Sequence, residues 1–211
     1  MAGHPAETRA ADTRADGRSD HKAETRQTLI DVALALFAAN GYEATSTEEI
    51  AAAAGVSPRT FFRYFETKDR VLFFGGDAFN KAIVRELPSQ RTELGELAAL
   101  EATITALVPL VEPLRQRIRL YFEAVDASPV LLGQHTSATA EHHAEVAQAL
   151  AARRALNAPD ARCAMAAQLA TIATERAYRV WVTAKRPLVE VIPESFALLR
   201  DTAGSAADPL R

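Results

Sequence analysis

From Lys22 onward the apolar side chains fall into stripes. Ile30, Ala33, Leu34 and Phe37 recur at i, i+3, i+4 and i+7, the spacing of one buried face of an amphipathic helix, and Asn40-Gly41 supplies a C-terminal stop. Ser46-Thr47-Glu48-Glu49 has the S-x-x-E form of a capping box, which predicts a short second helix through Ile50 and an alanine run ending at Gly55. Ser57-Pro58 then starts a third helix. Serine is a good N-cap, and proline at the first helical position lacks an N–H that would have no intrahelical partner there. Two short helices joined by a tight Ala-Gly-Val-Ser turn, behind a longer supporting helix, make a helix-turn-helix.

Beyond Phe65 the pattern stays helical. Thr67 is placed to cap a fourth helix through Val71, Leu72 and Phe73; Gly75-Gly76 predicts a kink or break, with Asp77 capping a restart toward Leu87. Leu97, Leu100, Ile104, Leu107, Val108 and Val111 form one stripe, and Leu114, Ile118, Tyr121, Phe122 and Val125 another. Ser128-Pro129 opens a helix to about Arg154. Asp160 caps a long helix to about Lys185 that is small or apolar on several sides, which predicts burial against more than one surface. A last helix runs from about Val189 to Arg200, with a local break expected at Pro193. The fold class is all-α. Residues 1–21 alternate arginine with acidic residues and hold almost no large apolar side chain, so they read as a disordered N-terminal arm. The expected division is then a helix-turn-helix head over 22–66, a larger helical domain over 67–202 and a flexible tail over 203–211.

With 48% hydrophobic residues in 211, the chain can bury a sizeable core. Its net charge of -3 advertises no nucleic acid, so any such binding must come from a local surface. Even over 22–70 the basic residues (Lys22, Arg26, Arg59, Arg63, Lys68, Arg70) are outnumbered by the acidic (Glu24, Asp31, Glu43, Glu48, Glu49, Glu66, Asp69), so charge must be segregated by face. No long apolar run reads as a membrane span or signal core, and a lone cysteine, Cys163, reads as a small buried hydrophobe; the cytoplasm is the expected location. His135, His142 and His143 form no complete metal-ligand set, since adjacent histidines diverge by about 100° on a helix, and they are expected to be solvated. Neither a cofactor motif nor a nucleophile-base-acid order is present, so no enzyme activity is expected.

The third helix separates by face. Phe61 and Phe65, at i and i+4, point with Val56 into a core made with Ile30, Phe37 and Ile50. Arg59, Thr60 and Arg63 leave that core on the polar side, where arginine can pair bidentately with guanine and threonine can meet a base edge or a thymine methyl group. These three are the expected base readers. Glu48, on the second helix, would repel phosphate unless it accepted from a cytosine amine. In the larger domain, Phe79, Tyr121, Phe122, Tyr178 and Trp181 can enclose an apolar pocket for a lipophilic or aromatic small molecule.

The stretch "LIDVALALFAANGYEATSTEEIAAAAGVSPRTFFRYFETKDRVL", Leu29 to Leu72, resembles the TetR family of bacterial transcriptional regulators. It combines Phe-x-x-x-Gly-Tyr, Ile-Ala, Gly-Val-Ser and Phe-x-x-Lys in the family's order. The end of the chain, "ATERAYRVWV...SFALLRD", is similar to an actinobacterial branch that includes mycofactocin-system regulators, some associated with acyl-CoA-like ligands. The resemblance implies a ligand-responsive repressor: a homodimer paired through the last two long helices, about 160–202, with two heads on a palindromic double-stranded DNA operator. Half-sites would then lie about 34–36 Å apart or a multiple of that. It further implies a hydrophobic or acyl-CoA-like effector; Gly75-Gly76 reads either as a flexible point in release or as a plain helix break. Thr47, Tyr64 and Lys68 match positions that bind phosphate in the family. Phe62 stands where many members carry a phosphate-binding tyrosine, which leaves it only apolar contact with the DNA backbone.

Overall fold

The structure is a computed structural model that describes residues 6–72 and 76–205, with side chains described over 21–72 and 78–204. The chain divides into two compact units, Met1–Phe74 and Gly75–Arg211. The first holds α1 (Ala6–Asn40), α2 (Thr47–Ala53), α3 (Pro58–Tyr64) and a 3-10 turn, Lys68–Val71.

Three local devices shape this head. The stripe on α1 is buried as its period requires, with Leu29, Ala33 and Leu34 at 0% exposure, and the helix stops where Gly41 takes φ +87°. The capping box on α2 closes at both ends: Glu49 N–H donates to Ser46 Oγ at 3.1 Å, and Ser46 N–H donates to Glu49 Oε2 at 2.8 Å. Gly55 then turns the chain at φ +69°. An added Cβ would meet nothing within 4 Å there, so the left-handed backbone rather than crowding calls for glycine. Ser57 caps α3 by accepting from Thr60 N–H at 3.1 Å, with Pro58 in the first turn.

Three expectations for the first unit are corrected. Helix α1 begins at Ala6 rather than near Lys22, so the stretch read as a disordered arm is helical from Ala6 on. Its Ala, Arg and Glu residues are strong helix formers, and extending an anchored helix avoids the cost of nucleating a new one. The fourth helix is a short 3-10 turn, and Thr67 occupies its N-cap position without a side-chain hydrogen bond. The unit also extends to Phe74 instead of ending at residue 66, because Val71 and Leu72 are buried and the turn that carries them packs on α1.

The second unit contains α4 (Gly76–Glu86), α5 (Glu96–Ala106), α6 (Val108–Val111), α7 (Arg115–Ala127), α8 (Pro129–Arg153), α9 (Ala161–Thr183) and α10 (Leu188–Ser205). Helix α9 is its centre and packs against α5, α7, α8 and α10. Small side chains make this possible. Ala166, Ala167, Ala170, Ala173 and Ala177 are all buried, so neighbouring helices approach on several sides. Ser128 caps α8 through Leu131 N–H at 3.2 Å, and Asp160 caps α9 through Cys163 N–H at 2.9 Å, both as expected.

Proline behaves differently at two places. Pro109 splits the stripe expected as one helix into α5 and the single turn of α6, since it brings no N–H and clashes with the preceding turn. Pro193 does not break α10. Leu188, Val191, Ile192 and Phe196 around it are all 0% exposed, and their burial holds the helix through the missing bond. Helix α10 runs on to Ser205, past the expected tail start at 203; residues 206–211 lie outside the described residues, as does Gly75. Helix α4 already includes Gly76 and Asp77, so it starts ahead of the restart expected at Asp77. Among the described residues no single helix is long and apolar enough to cross a membrane.

Candidate nucleic-acid interface

The third helix is anchored by Phe61, which is 0% exposed and packs at 5.7 Å from Phe65, the residue that ends α3 in extended conformation. With successive side chains about 100° apart, Phe62, Arg59 and Arg63 share an outward arc of about 100° on the side away from Phe61. All three are exposed. Neither arginine has a carboxylate partner among the described residues, and the Arg63 guanidinium stacks 5.3 Å from the Tyr64 ring centroid. Two uncompensated guanidiniums on one capped helix are what an acidic groove would attract.

Thr60 flanks the two arginines on the side opposite Phe62 and at an equal angle, but is half-buried, and its hydroxyl is 3.0 Å from Ser57 Oγ. It is part of the N-terminal cap as much as of the outer face. Thr47 is half-buried at the start of α2 and donates its hydroxyl to Glu48 Oε2 at 3.0 Å, so the acidic side chain in this region has a neighbour that engages it.

Lys68 has a role the sequence reading missed. Its ammonium donates to the main-chain carbonyls of Tyr42 at 2.6 Å and Thr45 at 2.9 Å, and lies 4.1 Å from the Tyr42 ring centroid. Tyr42 in turn packs edge-on against Phe37 at 5.2 Å. Lys68 therefore clamps the loop between α1 and α2 to the 3-10 turn, and the charge assigned to phosphate is first committed to the head's own backbone. The available signal was the aromatic residue directly after Gly41. We expect Lys68→Met, which keeps the apolar stem and strands both carbonyls, to lower head stability by about 2–3 kcal/mol in a denaturant melt. An unchanged midpoint would remove the clamp assignment.

The aromatic residues expected to line one pocket fall into two groups. Phe79, Tyr178 and Trp181 form a chain of rings, with centroids 6.3 and 6.4 Å apart. Tyr121 and Phe122 form the other, 5.4 Å apart. The Tyr121 hydroxyl lies 2.6 Å from His135 Nδ1, and Arg179 stacks 4.3 Å over Phe122 while pairing with Asp126 at 2.7 Å and Glu175 at 3.0 Å. The His135 imidazole, whose Nε2 lies 3.7 Å from Glu175 Oε2, and the Arg179 guanidinium hold the Glu175 carboxyl down to about 2 against the opposing effect of burial.

The three histidines are not solvated as expected. His135 is half-buried in that network, and His142 is held down to about 4 by burial and then by His143. The Tyr178 hydroxyl, the His142 Nδ1, the His143 Nε2 and the Gln134 Oε1 are buried with no hydrogen-bond partner among the described residues. No group of three or more metal-ligating side chains is placed to hold an ion among those residues.

A capped short helix presenting cations away from a buried aromatic anchor, behind a second capped helix and a left-handed glycine turn, defines the helix-turn-helix class. Residues 29–73 match the family described as bacterial regulatory proteins, tetR family. Over that head the chain is similar to the TetR family. It is 32% identical to the HTH-type transcriptional regulator TcmR of Streptomyces glaucescens over 142 residues, which is 64% of this chain and 63% of that protein. To MftR of Mycobacterium tuberculosis, a regulator proposed for mycofactocin biosynthesis, it is 32% identical over 52% of this chain and 48% of that one. The matched stretches thus span about half to just under two thirds of these relatives. In fold it is similar to Thermus thermophilus FadR, a TetR-family repressor solved with lauroyl-CoA, at TM-score 0.50, 23% identity and 83% and 93% coverage of the two chains. A TetR-family structure from Shewanella sp. PV-4 aligns at TM-score 0.54, 20% identity and 84% and 97% coverage.

Proposed function

We propose that this chain is a cytoplasmic transcriptional repressor that binds a palindromic operator as a homodimer and is released by a small lipophilic effector. The observation that carries the reading is the outward arc of α3, where Arg59 and Arg63 stand exposed, with no carboxylate partner among the described residues, on a helix capped at Ser57 and anchored by Phe61. Arg59 and Arg63 read bases, with Thr60 at the edge of the same face; Thr47 and Tyr64, half-buried at its margins, set register on phosphate.

The dimer reading rests on where apolar surface is left uncovered. Among the described residues the large exposed hydrophobics include Met165 (56%) and Ile172 (59%) on α9, and Val189 (47%) and Leu198 (47%) on α10. Met165 and Ile172 are seven residues apart and so share one face. Beside them α9 carries an open groove of about 540 Å³ lined by Ile172, Glu175, Arg176, Arg179, Val180 and Thr183. The effector reading rests on the Phe79-Tyr178-Trp181 ring chain and on the buried Tyr178 hydroxyl, whose missing partner a ligand oxygen or nitrogen would supply. Thermus thermophilus FadR, which shares the fold, was solved with lauroyl-CoA.

The test is fluorescence anisotropy with labelled DNA from upstream of the protein's own coding sequence. Binding should be salt-dependent and should resist competitor DNA, and titration with hydrophobic and acyl-CoA-like compounds should release it. Arg59→Ala should lose about 1–3 kcal/mol of discrimination between operator and random DNA while keeping nonspecific affinity. Binding without sequence selectivity would favour a small-molecule-binding protein with an inactive head.

A further inference from the structure

We infer that Phe62 is a specificity residue of the DNA site, and that it reads the C5 methyl group of a pyrimidine beside the base contacted by Arg59. The inference rests on the reading that α3 enters a major groove.

Phe62 is 52% exposed, a large apolar ring on the outer surface of a seven-residue helix. It flanks the Arg59–Arg63 face on one side as Thr60, the residue expected to meet a thymine methyl group, does on the other, but Thr60 is half-buried with its hydroxyl at Ser57 while Phe62 is exposed. The ring is also held in place. It packs edge-to-face on Phe61 at 5.5 Å and 88°, and Phe61 is fully buried, so little rotamer freedom remains to be lost on contact.

The chemistry of the groove selects the partner. A phenyl ring neither donates nor accepts a hydrogen bond at its edge, so the phosphate backbone offers it nothing specific. Of the groups base pairs present in the major groove, the C5 methyl is the apolar one, carried by thymine and equally by 5-methylcytosine. With the cationic fork of Arg59 beside it to take guanine O6 and N7, the arrangement fits a methylated pyrimidine step adjoining guanine in each half-site.

The experiment begins with selection of binding sites from a random duplex pool by the full-length chain. The enriched half-site should hold a thymine next to or one step from a guanine. Replacing thymines by uracil one at a time, which deletes only the methyl group, should find one position per half-site where affinity falls about fourfold, or about fifteenfold when both half-sites are changed. Placing 5-methylcytosine rather than cytosine at that position should recover a similar factor if the methyl alone is read; no recovery would restrict the reader to thymine. Phe62→Ala, whose position is exposed and whose fold a circular-dichroism melt checks, should bind the thymine and uracil sites equally, and Phe62→Leu should keep part of the difference. Uracil tolerated at every position, or a thymine preference that survives Phe62→Ala, overturns the inference while leaving the regulator reading intact. A pool that yields no enriched sequence overturns both.

Discussion

Phe61→Ala should unfold the head and abolish binding to every DNA sequence, in contrast to the selective loss expected of Arg59→Ala. Phe61 is fully buried, and its ring touches both Phe62 and Phe65. Truncating a buried phenylalanine costs about 3–5 kcal/mol, from lost transfer energy and the cavity left behind. A small helical unit has little more than that in total. Hydrogen exchange should then show α1 to α3 losing protection while α8 to α10 keep theirs, because the two units are separately compact. Phe61→Leu, which conserves most of the volume, should stay folded and bind DNA. If Phe61→Ala retained protection in α1 to α3, the anchoring role of this ring would be wrong.

Met165→Glu combined with Ile172→Glu should convert the protein to a folded monomer that no longer holds a two-half-site operator. The two side chains lie exposed on one face of α9, and a twofold contact counts each of them twice. At up to about 1.5–3 kcal/mol per side chain, losing four such contacts removes much of the about 8 kcal/mol that holds a dimer of micromolar strength, and the new carboxylates would face each other across the axis. Sedimentation velocity should report a single-chain mass across the micromolar range with unchanged circular dichroism. A dimer of unaltered strength would place the interface elsewhere on the chain.

The head was readable from sequence to an unusual depth, and for a single physical reason. Each of its devices acts within a few residues: the Ser46-Glu49 capping box, the φ-positive Gly55, and Ser57 with Pro58 at the start of α3. The face assignment of α3 was less complete. Period alone separates Phe61 from Arg59 and Arg63, but it sets Thr60 and Phe62 symmetrically on either side of the arginines; the Ser57–Thr60 contact and the packing of Phe62 on Phe61, which distinguish them, are details of geometry.

The larger unit shows the opposite balance. Its helix starts at Ser128 and Asp160 were legible as caps, yet the helix break at Pro109 and the unbroken passage through Pro193 were not, although both involve the same residue type. The outcome depended on what surrounds each proline. Likewise, helical spacing identified Phe79, Tyr121, Phe122, Tyr178 and Trp181 as inward-facing aromatics without saying which helices would meet, and the structure sorts them into two groups.

Sequence by itself determined the all-helical class, the helix-turn-helix and the residues that cap it, since hydrogen bonds and turns between near neighbours obey local rules. Only the tertiary structure decided that Lys68 reaches back 26 residues to the Tyr42 carbonyl, that His135 meets Tyr121 and Glu175 from three different helices, and that Phe62 stands exposed. Those contacts depend on how separate helices pack, and side-chain volumes at a distance, not the order of neighbours along the chain, set that packing.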